Sequence, residues 1–348
     1  MLIGGYPPPK GGVTIHIKRF YEYCQSRGFP VRIVTPFNSA PDRDGIILKG
    51  ITSAGKLLHL ISVIKNFSGK IVHVHSAQFK KFIFGGFIIL YSARNKIKLL
   101  TIHSDLRTFL GKRNFKYMVI KNILRHFDYI ICINEDQKNF FSDAMPISPD
   151  KLITIPSYIP IQRFPQEVTT QIKDFVISAK SQVDYLVISS GYLTKIYGFD
   201  LVLRAIKELN EFRIGVILLF YTYEDSAYSW EIKQKIESSE HVWTFRDISS
   251  DDFFYLISNS HLFIRANRQD TYGMVIGDSL ALGTPVIASD VCPRHPGTIL
   301  FESDNVINLT QKIKDTLLNL KEIKKQISGI KVENYAENLF NFYQKILK

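Results

Sequence analysis

Seven residues separate two carboxylates, Asp270 and Asp278, in a run that starts Leu-Phe-Ile-Arg-Ala-Asn-Arg-Gln-Asp-Thr-Tyr-Gly-Met-Val-Ile-Gly-Asp at Leu262. The apolar residues up to Arg265 read as a strand. Gly273 opens a helix that carries Asp278 and stops at Gly283, and residues 285–288 form the next strand. Tyr272, Gly273, Met274 and Val275 then lie at a helix N-terminus, whose unpaired N–H groups and positive dipole end suit a diphosphate. Asp270, just outside that end, can accept hydrogen bonds from sugar hydroxyls, and Asp278, about two turns further on, from a ribose. The plainer alternative makes Asp270 a helix cap and Asp278 an exposed helix residue.

Two further places could meet an anion or a reacting group. Pro-Pro-Pro-Lys-Gly-Gly-Val-Thr-Ile-His, from Pro7, joins the first strand to the first helix. Gly11 and Gly12 remove Cβ atoms there, so the helix N-terminus can present backbone N–H groups to a phosphate. The spacing is not GxGxxG, and two glycines in a loop can be no more than a turn. His103 follows an apolar strand directly, at the carboxyl end where ligands of open α/β sheets bind, which places it over an inter-domain crevice. His16 and His75 have similar placements. With nine histidines in the chain, a structural or surface role is the ordinary alternative for any one of them.

The elements that must hold these residues are strands and helices in alternation. In the first half, apolar β-branched runs recur at 31–35, 71–75, 98–102, 128–133 and 152–155. Helical spacing, as in Val13, Ile17, Phe20, Tyr21 and Cys24, lies between them. The second half repeats the scheme with runs at 185–189, 214–220, 242–245, 262–265, 285–288 and 298–301. Such near-continuous apolar strands belong to parallel sheets covered on both faces. The fold class is α/β, two doubly wound Rossmann-like domains facing a cleft: residues 1–165, residues 166–330, and a last helix over 331–348 that packs back on the first domain. Val332, Tyr335, Leu339, Phe342, Tyr343 and Ile346 give that helix its apolar stripe. Residues 163–182, polar and irregular, read as the linker.

Composition narrows the function classes. Of 348 residues 45% are hydrophobic and 22% charged, which excludes global disorder. The three cysteines are scattered, with no CxxC and no Cys/His spacing, and read as reduced cytosolic thiols. The N-terminus lacks the charged start and long apolar stretch of a signal peptide, and Met1 lies almost inside the first strand. The longest apolar stretch, residues 82–91, is half of what a bilayer needs. Residues 1–170 hold 24 of the 44 Lys and Arg but only 10 of the 32 Asp and Glu, so the whole positive excess lies in the first half. That asymmetry points to a polyanion facing the first domain. Nucleic acid is set aside, because no recognition motif accompanies the charge. An anionic membrane surface fits better. Arg107, Lys112, Arg113, Lys116, Lys121 and Arg125 interleave with Phe109, Phe115, Met118 and Ile123.

The 262–301 stretch resembles the donor-binding signature of family 4 retaining glycosyltransferases of the GT-B type. In that family two acidic residues separated by seven others precede an Ala/Gly-x-Pro-Val-Ile-Ala-Ser run. Phe-Ile-Arg before the signature, and Ser-Asp, Arg294, Pro296 and Gly297 after it, resemble a branch associated with bacterial surface polysaccharide. The glycine loop, His103 and the last helix match in order, so the resemblance covers nearly the whole chain. It implies transfer of a sugar from a nucleotide diphosphate donor, UDP- or GDP-linked, to a glycan or lipid-linked acceptor, with retention, without cofactor or metal. The site would be cytoplasmic, at the inner face of the plasma membrane. Asp270 and His103 would orient the donor sugar, Asp278 the ribose, and residues 244–248 the base. Two departures stand out. Both acidic residues are usually Glu, and the Arg and Lys that usually hold the diphosphate are here Tyr192 and Tyr197. Lys195 and Arg265 are the nearest cations to replace them. The rival readings are a noncatalytic glycosyltransferase-like partner, favoured by those tyrosines, and a Rossmann oxidoreductase, which would need a GxGxxG that the chain lacks.

Overall fold

The structure is a computed structural model and describes the chain apart from residues 9, 36–45, 49–53, 77–78, 104–114, 162–164, 222–225 and 331–332. Contacts divide it into two units, Met1–Ile159 with Asn334–Lys348, and Pro160–Glu333.

The first unit is a seven-stranded parallel sheet made of β1 (Leu2–Ile3), β2 (Ile33–Thr35), β3 (Ile46–Leu48), β4 (Ile71–Ser76), β5 (Ile97–Ile102), β6 (Tyr129–Cys132) and β7 (Leu152–Thr154). Its order is β3-β2-β1-β4-β5-β6-β7, so the winding reverses between β1 and β4. Alternation along the strands builds two cores. Ile3, Val74, Leu100 and Ile130 face the helices Ala54–Lys65, Phe79–Ser92 and Phe115–Arg125 through Ile64, Ile89 and Ile120. Leu2, Ile33, Leu99 and Ile131 face the helix Gly12–Ser26 through Ile17, Phe20 and Cys24, together with Leu339, Phe340 and Tyr343 of the last helix, Tyr335–Leu347. Gly28, at φ +67°, ends the first helix, and its N–H returns to the Gln25 carbonyl.

The second unit is a six-stranded parallel sheet made of β8 (Tyr185–Gly191), β9 (Ile214–Phe220), β10 (Val242–Arg246), β11 (Leu262–Arg265), β12 (Val286–Ser289) and β13 (Ile299–Phe301). Its order is β10-β9-β8-β11-β12-β13, with the reversal between β8 and β11. Val187, Leu218 and Ile264 face one helix layer, and Ile188, Ile217 and Phe263 the other.

One expectation is corrected. Residues 163–182 are not an irregular linker, because Thr170–Gln182 is a helix. Ile172, Val176 and Ala179 recur every three or four residues and are buried against the second sheet. Polar residues on three sides hid a narrow apolar stripe. The edge strand β3 was also not anticipated.

Candidate functional site

In open α/β sheets the crevice lies where the strand order reverses, beyond the carboxyl ends of the two central strands. In the second unit those ends are Gly191 of β8 and Arg265 of β11. Arg265 donates from Nε to Asp270 Oδ2 at 2.6 Å and from Nη2 to Oδ1 at 3.1 Å. Arg294 donates from Nη1 to the same Oδ2 at 2.6 Å, and the Thr271 N–H donates to Oδ1 at 3.0 Å. All four acceptor positions of the carboxylate are thereby taken.

Arg294 is anchored on its far side by the Ser289 carbonyl, at 2.9 Å from Nε, and by Ser289 Oγ. Only 2% of its side chain is exposed, against 9% for Asp270 and 11% for Arg265. Burial alone would raise the Asp270 carboxyl. The charges and hydrogen bonds of Arg265 and Arg294 outweigh it and hold the group well below the usual carboxylate range. Burial also opposes the charge on Arg265, and Asp270 overcomes it. Two guanidiniums share one carboxylate, so this ion-pair cluster carries one positive charge in excess of its own carboxylate.

This surplus sits at a helix start. Gly273, at φ +82°, caps the helix Met274–Ala281. A Cβ there would lie 3.0 Å from Arg265 Nε and 3.2 Å from Arg294 Nη1. Glycine is therefore required twice, by the left-handed backbone and by the approach of two cations. Val275 is buried, and the Tyr272 ring packs at 4.4 Å from that of His295.

Opposite Arg265, at the end of β8, stand the aromatic residues that occupy the positions expected to be cationic. Tyr197 lies with its ring centroid 5.9 Å from the Arg265 guanidinium and 5.6 Å from the Tyr192 ring. Tyr192 in turn meets Tyr221, whose hydroxyl is 3.0 Å from Ser190 Oγ. Asp278 is buried in the helix interior rather than exposed, and its charge helps to raise the Tyr221 hydroxyl, after burial itself. Lys195 is exposed on a single 3-10 turn, Lys195–Tyr197. Arg268 pins that turn by donating to the Lys195 carbonyl while it pairs with Asp200.

The glycine loop and His103 belong to the first unit. Gly11 is the extended residue before the helix Gly12–Ser26, and its N–H donates to Thr14 Oγ1 at 2.9 Å. A Cβ at Gly12 would meet nothing within 4 Å, so open space adjoins that helix start. His103 follows β5, and its Nε2 lies 3.1 Å from Nδ1 of His75, at the end of β4. His16, on the first helix, comes within 5.0 Å of His103 and 5.3 Å of His75 between ring centroids. The sequence showed no cluster with metal-ligand spacing. The fold assembles one from positions far apart in the chain, His16, His75 and His103.

Arg265, Asp270, Tyr272, Gly273, Met274 and Val275 thus come together as one cluster. Asp278 lies further along the same helix and Lys195 at the end of β8. Arg294 was visible in the sequence only as part of a pattern, and its part in holding Asp270 was not anticipated. No signal in the sequence pointed to Tyr221.

The Glycosyltransferase Family 4 model matches residues 10–163, and the Glycosyl transferases group 1 model matches residues 184–319. No curated protein matches the chain in sequence. Among solved structures it is similar to a glycosyltransferase from Rickettsia africae, with 14% identity, TM-score 0.73, and coverage of 100% of this chain and 98% of that one. Sucrose-phosphate synthase from Thermosynechococcus elongatus gives 15%, 0.75, 99% and 98% for the same measures. Anabaena HepE in complex with UDP-glucose gives 13%, 0.74, 97% and 93%. Matches at both halves leave no place for an oxidoreductase. With a family 4 domain followed by a group 1 domain on two parallel Rossmann-like sheets, the chain belongs to the family 4-like glycosyltransferases of GT-B fold.

Proposed function

We propose that the protein moves a sugar from a UDP- or GDP-linked donor to a hydroxyl of a glycan or lipid-linked acceptor, with retention of configuration, in cell-surface polysaccharide synthesis. The observation that carries this reading is the surplus guanidinium charge of Arg265 and Arg294 at the start of the helix Met274–Ala281. Departure of the diphosphate is the difficult charge development, and fixed cations and amides aimed at it lower the barrier without reorganising. Arg294 directs its donors to Asp270, Ser289 and the Tyr272 carbonyl. Among the described residues Arg265 bonds only from Nε and Nη2, to Asp270, which leaves N–H groups beside Tyr197 to face the donor diphosphate, with Lys195 in reach.

Asp270 in this state anchors both guanidiniums. To accept a sugar hydroxyl it exchanges one of those bonds, which ties sugar binding to the placement of Arg265. Asp278 and residues 244–248 take the ribose and base, and His103 orients the sugar from the first domain. The leaving phosphate itself assists the acceptor hydroxyl. No cofactor or metal is assigned to this reaction. HepE, which binds UDP-glucose, makes uridine donors the first to test.

The acceptor side is the basic first domain at the inner face of the plasma membrane. Arg107, Phe109, Lys112 and Arg113 lie outside the described residues. On neighbouring helices Leu58, Phe87, Tyr91 and Met118 are exposed, with Lys65 over the Tyr91 ring. No helix among the described residues is long and apolar enough to cross a membrane.

Purified protein incubated with a panel of nucleotide sugars tests the proposal. The right donor at a hundredfold its Kd should stabilise the fold by about 2.7 kcal/mol, and an added acceptor should release the nucleoside diphosphate. Stabilisation without release from any donor and acceptor would favour the second reading, a noncatalytic partner, for which Tyr192 and Tyr197 in place of cations are the supporting observation.

A further inference from the structure

We propose that His16, His75 and His103 form a binding site for a single transition-metal ion of the zinc type. Each contributes one ring nitrogen, and these three atoms lie within 4.8 Å of one another. They come from three elements, the first helix, the end of β4 and the residue after β5, at the side of the first sheet where ligands enter.

The hydrogen bonds single these three out from an ordinary buried histidine. His73, next to His75 at a ring distance of 4.1 Å, is the contrast: Tyr343 Oη serves its Nδ1 and Thr101 Oγ1 its Nε2, so both nitrogens are satisfied. His16 directs Nδ1 to the Ser157 carbonyl at 2.7 Å. A carbonyl only accepts, so Nδ1 carries the proton and Nε2 keeps a bare lone pair. That Nε2 is buried and has no hydrogen-bond partner among the described residues. The arrangement, one ring nitrogen held by a carbonyl and the other left for a cation, is the one that orients metal-bound histidines.

His75 turns its Nδ1 to His103 Nε2 at 3.1 Å. With bonds of 2.0 to 2.1 Å, the edge of a tetrahedron around zinc is about 3.3 Å, so this pair already spans nearly one edge. An ion there would replace the single proton that two facing imidazoles can share, and it would give the His16 lone pair a partner.

The donor set defines the ion. Three neutral imidazoles without a carboxylate suit Zn2+, Co2+, Ni2+ or Cu2+ and not Mg2+ or Ca2+. The ion takes no part in the transfer reaction. On the reading of His103 as the residue facing the donor sugar, an occupied site withdraws it, and the metal-loaded protein is the slow form.

Titration of the purified protein with Co2+, followed by its visible d–d absorption, tests the binding independently of any sugar chemistry. The expected result is saturation at one equivalent, displacement by one equivalent of Zn2+, and a loss of affinity of at least 10-fold to 100-fold in His16→Ala, His75→Ala and His103→Asn. His59→Ala, outside the cluster, should titrate like the wild type. His103 is the least buried of the three, so His103→Asn keeps the test valid if a core variant fails to fold. No saturable Co2+ absorption in the wild type, or an unchanged titration in folded His103→Asn, would overturn the proposal. Failure of Zn2+ to slow transfer, with the absorption intact, would remove only the assignment of His103 to the sugar.

Discussion

Replacing Asp270 by Asn keeps the size of the side chain and removes the anion that two buried guanidiniums share. Oδ2 accepts from Arg265 Nε and Arg294 Nη1, and Oδ1 accepts from Arg265 Nη2 and the Thr271 N–H. Whichever oxygen becomes NH2, it then faces two donors, so two bonds are lost and repulsion takes their place. Breaking a buried ion pair from one side costs about 3 to 5 kcal/mol, because the other charge stays in the interior. At about 2 to 4 °C per kcal/mol for a domain of this size, the melting temperature should fall by roughly 6 to 20 °C.

Added salt should restore little, since the cluster is shielded from solvent ions. A second substitution, Arg294→Leu, removes one of the orphaned charges. The double variant should therefore be less destabilised than the sum of the singles, by about 0.5 to 3 kcal/mol. Urea and thermal unfolding of the four proteins supply the measurement. In the transfer assay, turnover should fall more than donor affinity, because the contact orients the reacting centre. A melting point for Asp270→Asn within about 2 °C of wild type, a third of the smallest fall expected, or strictly additive singles, would refute the account of Asp270 as the anchor of both cations.

Asp278→Asn should weaken nucleotide binding and leave turnover of bound donor nearly intact; equal binding of nucleoside diphosphate by both proteins, measured by calorimetry, would remove Asp278 from the ribose. Arg265→Ala should slow transfer by roughly 10-fold to 150-fold for the charge-assisted bond lost, whereas exposed Lys195→Ala should alter donor affinity and not stability; full activity in both means the diphosphate is held by other groups. Acid should destabilise the second domain. Burial and then Arg294 lower His295 to about 4 from 6.5, so below pH 6.5 the unfolded chain binds a proton that the folded chain refuses. Stability is complete above pH 6.5 and declines by about 3 kcal/mol on the way to pH 4, and His295→Gln should flatten that part of the profile; an unchanged slope contradicts it. Vesicles containing anionic lipid should sediment the protein less as salt rises, and Met118→Glu should weaken that binding; equal sedimentation with neutral vesicles would remove the electrostatic attraction.

What could be read ahead of the structure follows from the physics of each signal. Strands such as Ile214–Phe220 and Leu262–Arg265 announce themselves because a parallel strand covered on both faces is apolar at nearly every position. The helix Thr170–Gln182 escaped because a surface helix needs only three buried residues in thirteen, a pattern that polar neighbours dilute. The site divides in the same way. Asp270 and Gly273 are close in sequence, and a strand end, a loop and a helix start explain both. Arg294 reaches Asp270 from beyond the next strand, and nothing local to Arg294 requires it.

The histidines carry this argument furthest. His16, His75 and His103 each sit at a ligand-facing end of an element, which sequence reading can propose one residue at a time. Their convergence depends on the strand order, in which β4 lies between β1 and β5, so that the helix after β1 meets the ends of β4 and β5. An order that moved β4 to the sheet edge would keep every local pattern and dissolve the cluster. A site assembled across a topological reversal is therefore the part of function that periodicity and spacing could not show here.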